Sequence, residues 1–165
     1  METTDNLREA FAGESQANQT YMSDAKKAKA DGYPQVAKLF RAAAAAETVH
    51  AQAHLRVLGT KDTVGNLQAA RSGEESEVTG MYPGFVAQAE QEGNQQAVMS
   101  FRNALAVERI HYGLYGEALN AVRSGKDLPA AAIFVCGVCG NTVIGEAPEV
   151  CPVCGAPKKR FSEIA

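Results

Sequence analysis

The sequence predicts an all-α four-helix bundle followed by a small appended domain with short β-strands. Three observations carry that expectation. Apolar residues recur at helical spacing through four long stretches that end near residue 123. Breaks containing Gly, Pro or Asn separate the stretches where helices stop and start. All four cysteines fall between residues 136 and 154, beyond the last helical stretch.

The first helix is expected over residues 5–30, with Leu7, Ala10, Phe11, Glu14, Ala17, Asn18, Tyr21, Ala25 and Ala28 at helical spacing. Asp31-Gly32-Tyr33-Pro34 stops it, because Gly suits a helix C-terminus and Pro the first turn of the next helix. The second spans 34–58, with Val36, Leu39, Phe40, Ala43, Glu47, His50, Ala51, His54 and Leu58 on neighbouring faces, and Gly59 ends it. The third is expected from about residue 65 to Gln91, and Glu92-Gly93-Asn94 is a tight helix–helix turn. The fourth runs from about 94 to 123, with Val98, Phe101, Leu105, Glu108, His111, Tyr112 and Tyr115 as its inward residues.

Residues 124–131 read as a linker containing Gly and Pro. Beyond Ala132, Ile133-Phe134-Val135 predicts one short strand, and the rest reads as turns around cysteines. The chain thus divides into a helical domain at 1–123 and a second domain at 132–165. The second is too small to bury an adequate core, so a bound metal must contribute much of its folding energy.

Composition narrows the function. The chain has 165 residues, 45% of them hydrophobic, enough for one ordinary core and an appendage. It has no run of 18 apolar residues, so no transmembrane helix is expected. METTDNLREAF has no basic stretch leading into an apolar one, so no secretory leader is expected and the cytoplasm is the expected compartment. The net charge of −3 argues against nucleic acid, and Lys158-Lys159-Arg160 is too short a basic run to change that. Clustered rather than dispersed cysteines indicate thiolate ligands in a reducing environment, not disulfide staples.

The second helix carries Glu47-Thr-Val-His50 and the fourth Glu108-Arg-Ile-His111. Positions i and i+3 share a helix face, so each Glu-x-x-His presents a carboxylate and an imidazole together. One copy alone is ordinary surface chemistry. Two copies on alternate helices are the pattern of di-iron and di-manganese carboxylate bundles, in which each remaining helix adds a Glu. Glu14 fits on the first helix, and Glu77 or Glu74 on the third. Hard carboxylate oxygens suit ferrous and ferric iron, and imidazole adds a ligand without charge. Buried carboxylates need compensating cations, which two metal ions supply. His54, one turn past His50, reads as a supporting or core histidine. Tyr21 and Tyr82 are placed to hydrogen-bond ligand carboxylates or bound oxygen species.

Cys136-Gly-Val-Cys139-Gly140 is followed by Cys151-Pro-Val-Cys154-Gly155, with eleven residues between Cys139 and Cys151. Two such knuckles are a strong metal signal, and their glycines let backbone amides approach the sulfurs. Four thiolates suit iron or zinc equally. A nearby di-iron site needs an electron supply, which favours iron here, with zinc a ready substitute in protein made in a foreign host.

The sequence resembles the rubrerythrin family. The resemblance rests on Phe11-Ala-Gly-Glu14-Ser-Gln-Ala-Asn18, the Glu47-x-x-His50 helix, Gly73-Glu74-x-x-Glu77, Met81-Tyr82-Pro83 and Ala106-Val-Glu108-x-x-His111. In the C-terminal domain it rests on Phe134-Val-Cys136-x-x-Cys139-Gly and Ala147-Pro-Glu-Val-Cys151-Pro-x-Cys154-Gly. It covers nearly the whole chain and implies a ferritin-like bundle followed by a rubredoxin-like domain. It further implies a non-haem peroxidase that reduces hydrogen peroxide to water, fed by an NADH-linked reductase or a small electron carrier. Two iron ligand sets follow by residue-wise match. Glu14, Glu47, His50, Glu77, Glu108 and His111 would hold two irons, and Cys136, Cys139, Cys151 and Cys154 a single one. Glu74 would exchange with His50 as the metals are oxidised, and Tyr21 and Tyr82 would support the site. Gly80 stands where some members carry another acid, so that extra acid function is not expected.

The link from Gly59 to about Val64 has a geometric consequence. In a ferritin-like bundle the second and third helices run parallel. From His50 to its helix end is about 12 Å, and a third helix starting near 65 begins about 18 Å before Glu77. Six residues reach only about 20 Å. A homodimer is therefore expected, with helices one and two swapped onto helices three and four of a partner chain. A third helix starting near Gly73 would remove the conflict. Two rival functions share these residues: an oxygen-using ferroxidase, and a non-catalytic module whose four cysteines hold a structural zinc.

Overall fold

The computed structural model describes residues 2–165. Its helices are α1 (Thr3–Ala30), α2 (Pro34–Leu58), α3 (Thr63–Ser76), α4 (Tyr82–Gln91) and α5 (Gln95–Arg123), with a π-helical turn at Glu77–Met81 between α3 and α4. The four expected bundle helices are thus present, the third being α3, the π turn and α4 in succession. The sequence reads there as one continuous α-helix, and the π turn corrects that expectation. The chain forms two compact units, the first ending at Thr60 and the second beginning at Lys61.

The first unit is the α1–α2 helical hairpin. Ala37, Ala44 and Ala51 recur every seven residues and are all buried, as are Ala25 and Ala28 on α1. Side chains this small let the two backbones approach closely. Asn18 of α1 donates from Nδ2 to the Ala44 carbonyl at 2.7 Å and to Thr48 Oγ1 at 2.9 Å, tying the helices together. The turn between them ends α1 by backbone chemistry. Gly32 has φ +85°, and Tyr33 N–H donates to the Ala28 carbonyl at 2.9 Å. This is the glycine-terminated helix end in which an amide beyond the helix satisfies an orphan carbonyl. Gly93 and Gly125 end α4 and α5 in the same way, through Asn94 N–H to Ala89 O and Lys126 N–H to Ala121 O.

Four residues, Gly59–Asp62, separate α2 from α3. Asp62 caps α3 by accepting from Gly65 N–H at 2.7 Å. A start near Gly73 is therefore overturned: α3 begins at Thr63, earlier than the residue 65 expected, because Asp62 supplies the cap.

In the second unit α3, the π turn and α4 pack on α5. Tyr82, Phe85 and Phe101 form an aromatic cluster with ring centroids 5.5 to 6.4 Å apart. Arg71 of α3 lies over the Tyr112 ring of α5 at 4.4 Å and donates to its hydroxyl at 2.6 Å. The C-terminal segment holds a three-stranded antiparallel sheet rather than a single strand. Its strands are β1 (Ile133–Cys136), β2 (Thr142–Ile144) and β3 (Phe161–Glu163), in the order β2-β1-β3. Register pairs Val135 with Thr142 and with Ser162. Its core is Cys136, Cys151 and Ala156, packed by Cys139, Val153, Cys154 and Phe161, so the sulfurs themselves are the centre of the domain.

Candidate metal centres

Two acid–histidine triads form, one in each unit. In the first, ligand atoms of Glu14, Glu47 and His50 lie within 4.8 Å of one another. His50 Nδ1 is 2.9 Å from Glu47 Oε2, one turn earlier on α2, and 3.9 Å from Glu14 Oε1 on α1. In the second, the same holds for Glu74, Glu108 and His111. His111 Nδ1 is 2.7 Å from Glu108 Oε2. Both histidines thus turn the same ring nitrogen toward the glutamate three residues before them, as the shared helix face dictates.

Glu77 is outside the tight triad but within electrostatic reach of it. Burial, followed by the Glu108 carboxylate, pushes its pKa up. Glu74 is affected more. Burial first, then a hydrogen bond to Glu108 and the Glu108 charge, raise it to about 7 against the opposing pull of His111. Carboxyl groups crowded this closely cannot all ionise unless cations join them. That crowding, with hard oxygen and imidazole donors, fits a pair of iron ions.

The π turn positions Tyr82. Its amide donates to the Glu77 carbonyl, a step of five residues instead of four. In an α-helix the fifth residue lies about 140° round the axis from the first. The wider turn brings Tyr82 back toward the face of Glu77. Two local features favour the widening. Pro83 has no N–H to give the Thr79 carbonyl. Thr79 Oγ1 donates to the Glu75 carbonyl at 2.7 Å, a bond that bends helices. Burial, then Glu77, Glu108 and Glu74, push the Tyr82 phenol above its ordinary range. Tyr21 lies in the first unit against Phe40, with centroids 6.1 Å apart. His54 is half-buried on α2.

The four cysteines close into one cluster. Cys136 Sγ is 3.7 Å from Cys154 Sγ, and Cys139 Sγ is 3.6 Å from Cys151 Sγ. A disulfide needs about 2.05 Å, so these are free thiols. The edge of a tetrahedron around a metal with bonds of about 2.3 Å is about 3.8 Å, so the cage fits iron or zinc. Burial works against ionising Cys151, yet the Cys154 and Val153 amides and the Cys139 and Cys154 thiols bring it down to about 6. Burial pushes Cys139 and Cys154 up.

Sequence reasoning missed how this cage meets the helices. The cysteine domain docks on α5 of its own chain. His111 Nε2 is 2.9 Å from Thr142 Oγ1. A Cβ at Gly140, where φ is +85°, would come within 3.8 Å of Val107 Cγ1 one turn before His111. A single chain thus brings its cysteine cage to a histidine of the second triad. Asn141, 1% exposed, joins the two by position, with Nδ2 3.6 Å from Cys151 Sγ. Its place just after the Cys-x-x-Cys-Gly knuckle was the only available signal.

Comparison with known proteins agrees with this layout. A family model described as Rubrerythrin matches residues 5–119, and one described as the rubredoxin-like domain of rubrerythrin matches residues 134–162. Rubrerythrin-2 of Clostridium acetobutylicum is 34% identical over 96% of this chain and 95% of its own length. Nigerythrin of Nitratidesulfovibrio vulgaris is 35% identical over 97% of this chain and 85% of its own. A mixed-valence structure of nigerythrin shares 34% identity, covers 99% of this chain and 87% of its own, and superposes with a TM-score of 0.58.

Proposed function

The chain belongs to the rubrerythrin family, and on that premise we propose that it reduces hydrogen peroxide to water at a two-iron centre fed through its cysteine-bound iron. The observation that carries this reading is the docking of the cysteine cage on His111, which sets an electron carrier against one ligand of a carboxylate-rich centre. Each peroxide takes two electrons and two protons and yields two waters. The irons, when bound, supply the two electrons.

Glu14, Glu47, His50, Glu77, Glu108 and His111 are the proposed ligands, with Glu74 as an exchanging carboxylate and Cys136, Cys139, Cys151 and Cys154 holding the single iron. Glu74, with its pKa near 7, gives up its proton as positive charge gathers beside it. It then offers the negative oxygen that an oxidised centre favours, while His50 serves the reduced one. Tyr82 keeps its phenolic proton, which is then available for a hydrogen bond within the site, and Tyr21 is the proposed supporting tyrosine of the first unit. We assign 1–123 to the bundle, 124–131 to a linker and 132–165 to electron transfer. An NADH-linked reductase or small carrier in the cytoplasm is the proposed source of electrons. Among the described residues, no helix is long and apolar enough to cross a membrane.

The two triads are proposed to meet between chains. From His50 to the end of α2 is about 12 Å, and from the start of α3 to Glu77 about 21 Å. The four-residue link spans at most about 18 Å from Leu58 to Thr63. A swapped homodimer removes this conflict by pairing α1–α2 of one copy with α3–α5 of another. The exposure of Leu39 and Val57, on the face of α2 that carries His50, supports a partner there.

The test is Cys154→Ser. It should abolish peroxide turnover driven by an external donor, while chemically reduced di-iron protein still consumes one equivalent of peroxide. Loss of that single turnover as well would mean the cysteine domain is needed for something other than electron delivery.

A further inference from the structure

The two ring nitrogens of His111 face different parts of the chain. Nδ1 lies 2.7 Å from Glu108 Oε2, on the side of the carboxylates. Nε2 lies 2.9 Å from Thr142 Oγ1, in the cysteine domain. Thr142 Oγ1 is also 3.2 Å from the Gly140 carbonyl, which only accepts and so offers a place for the single hydroxyl proton. The oxygen then has only lone pairs to offer His111. A ring that donates from Nε2 keeps its lone pair on Nδ1, where a metal would sit. With a metal between Nδ1 and the Glu108 carboxylate, the chain Nε2–H to Thr142 to Gly140 would set both the tautomer and the ring orientation.

The threonine is itself held. It opens β2 and pairs with Val135 across β1. The preceding Asn141 is buried, and its carbonyl accepts from the Cys136 amide at 2.9 Å. The Gly140 turn faces Val107 of α5, which an added Cβ would meet at 3.8 Å. The cysteine cage thus fixes the position of the hydroxyl.

We propose that Thr142 is a positioning residue for the bundle's metal centre: its hydroxyl accepts His111 Nε2–H and so presents Nδ1 to the metal. The proposal rests on the reading of Glu108 and His111 as ligands, but not on peroxide as substrate. The cysteine domain is then part of the ligand scaffold as well as an electron carrier. Outer hydrogen bonds of this kind orient a ligating imidazole and raise its basicity, and losing one typically costs about 10–100-fold in metal affinity.

The experiment compares Thr142→Val, which keeps the shape, with Thr142→Ser, which keeps the hydroxyl. Full-length proteins with the cysteine site filled are titrated with Co(II) under nitrogen, reading cobalt absorption at the bundle. Thr142→Val should weaken binding about 10–100-fold, and Thr142→Ser should bind as wild type. The second readout is the exchangeable ring N–H proton of His111 in cobalt-loaded wild type, shifted by the metal. It should be visible and slow to exchange, and lost in Thr142→Val. Unchanged affinity in Thr142→Val, or an equal loss in Thr142→Ser, overturns the proposal. If Thr142→Val loses the visible bands of its cysteine site, the wild-type N–H signal decides alone, and its absence overturns the proposal. Because no peroxide enters these measurements, a normal cobalt result with no peroxide reaction would count against the proposed function and leave this inference standing.

Discussion

The two Glu-x-x-His motifs are equivalent in sequence, yet the structure treats them differently. His111 is 27% exposed and bonded at both ring nitrogens, to Glu108 and to Thr142. His50 is 54% exposed, and among the described residues only its Nδ1 has protein partners, Glu47 and Glu14. The second triad is held by its own unit; the first lacks a cover and an outer bond. A ligand with no outer bond is easier to displace. That fits His50, rather than His111, as the histidine that yields to Glu74. It also agrees with the proposed pairing of the α1–α2 hairpin with a second copy.

Damaging each half separately gives the largest expected effect. Glu47→Ala and Glu108→Ala homodimers should each lose metal binding and peroxide turnover. A mixed dimer of the two, co-expressed with different tags, should regain one intact site of its two if the halves combine between chains. No recovery would mean that each site is built within one chain. A smaller effect separates the histidines. His111→Ala should lower metal affinity about tenfold more than His50→Ala, since it loses the ligand that an outer bond strengthens. Equal losses would erase the distinction drawn here.

The smallest effect is a pH dependence in chelator-stripped protein. Burial raises Glu74 from 4.5 to about 7, so between those values the folded chain binds more protons than the unfolded one. Stability should therefore fall as pH rises from about 4.5 to about 7 and level off above. Urea melts across that range should show the slope, and Glu74→Gln should flatten it. Metal loading should reverse the trend, because metal and proton compete for the same carboxylates.

Much of this was legible in the residues. Helix ends were readable at Gly32, Gly93 and Gly125 because a positive φ at those positions favours glycine. The two motifs were readable because i and i+3 share a face whatever the tertiary structure. The π turn was not, although Pro83 was in view. A missing N–H signals a break or kink, and whether the helix breaks or widens depends on what its face must present. Thr142 was beyond reach for a different reason. Its partner lies 31 residues away, on another element, and nothing local to a threonine beside a knuckle announces it. The unequal burial of two identical motifs is likewise a property of packing.

The triads and the cysteine cage are proposed to form one peroxide-reducing system. Stopped-flow absorbance of anaerobically reduced, iron-loaded protein, mixed with hydrogen peroxide and separately with oxygen, tests it most directly. Fast oxidation by peroxide, much slower oxidation by oxygen, and re-reduction of the bundle tracked by bleaching and recovery of the cysteine-site bands are expected. Faster oxidation by oxygen, with many added ferrous ions consumed per chain, would point to a ferroxidase. No change in the cysteine-site bands in protein from its native host would point to a structural zinc site, and either result would contradict the account.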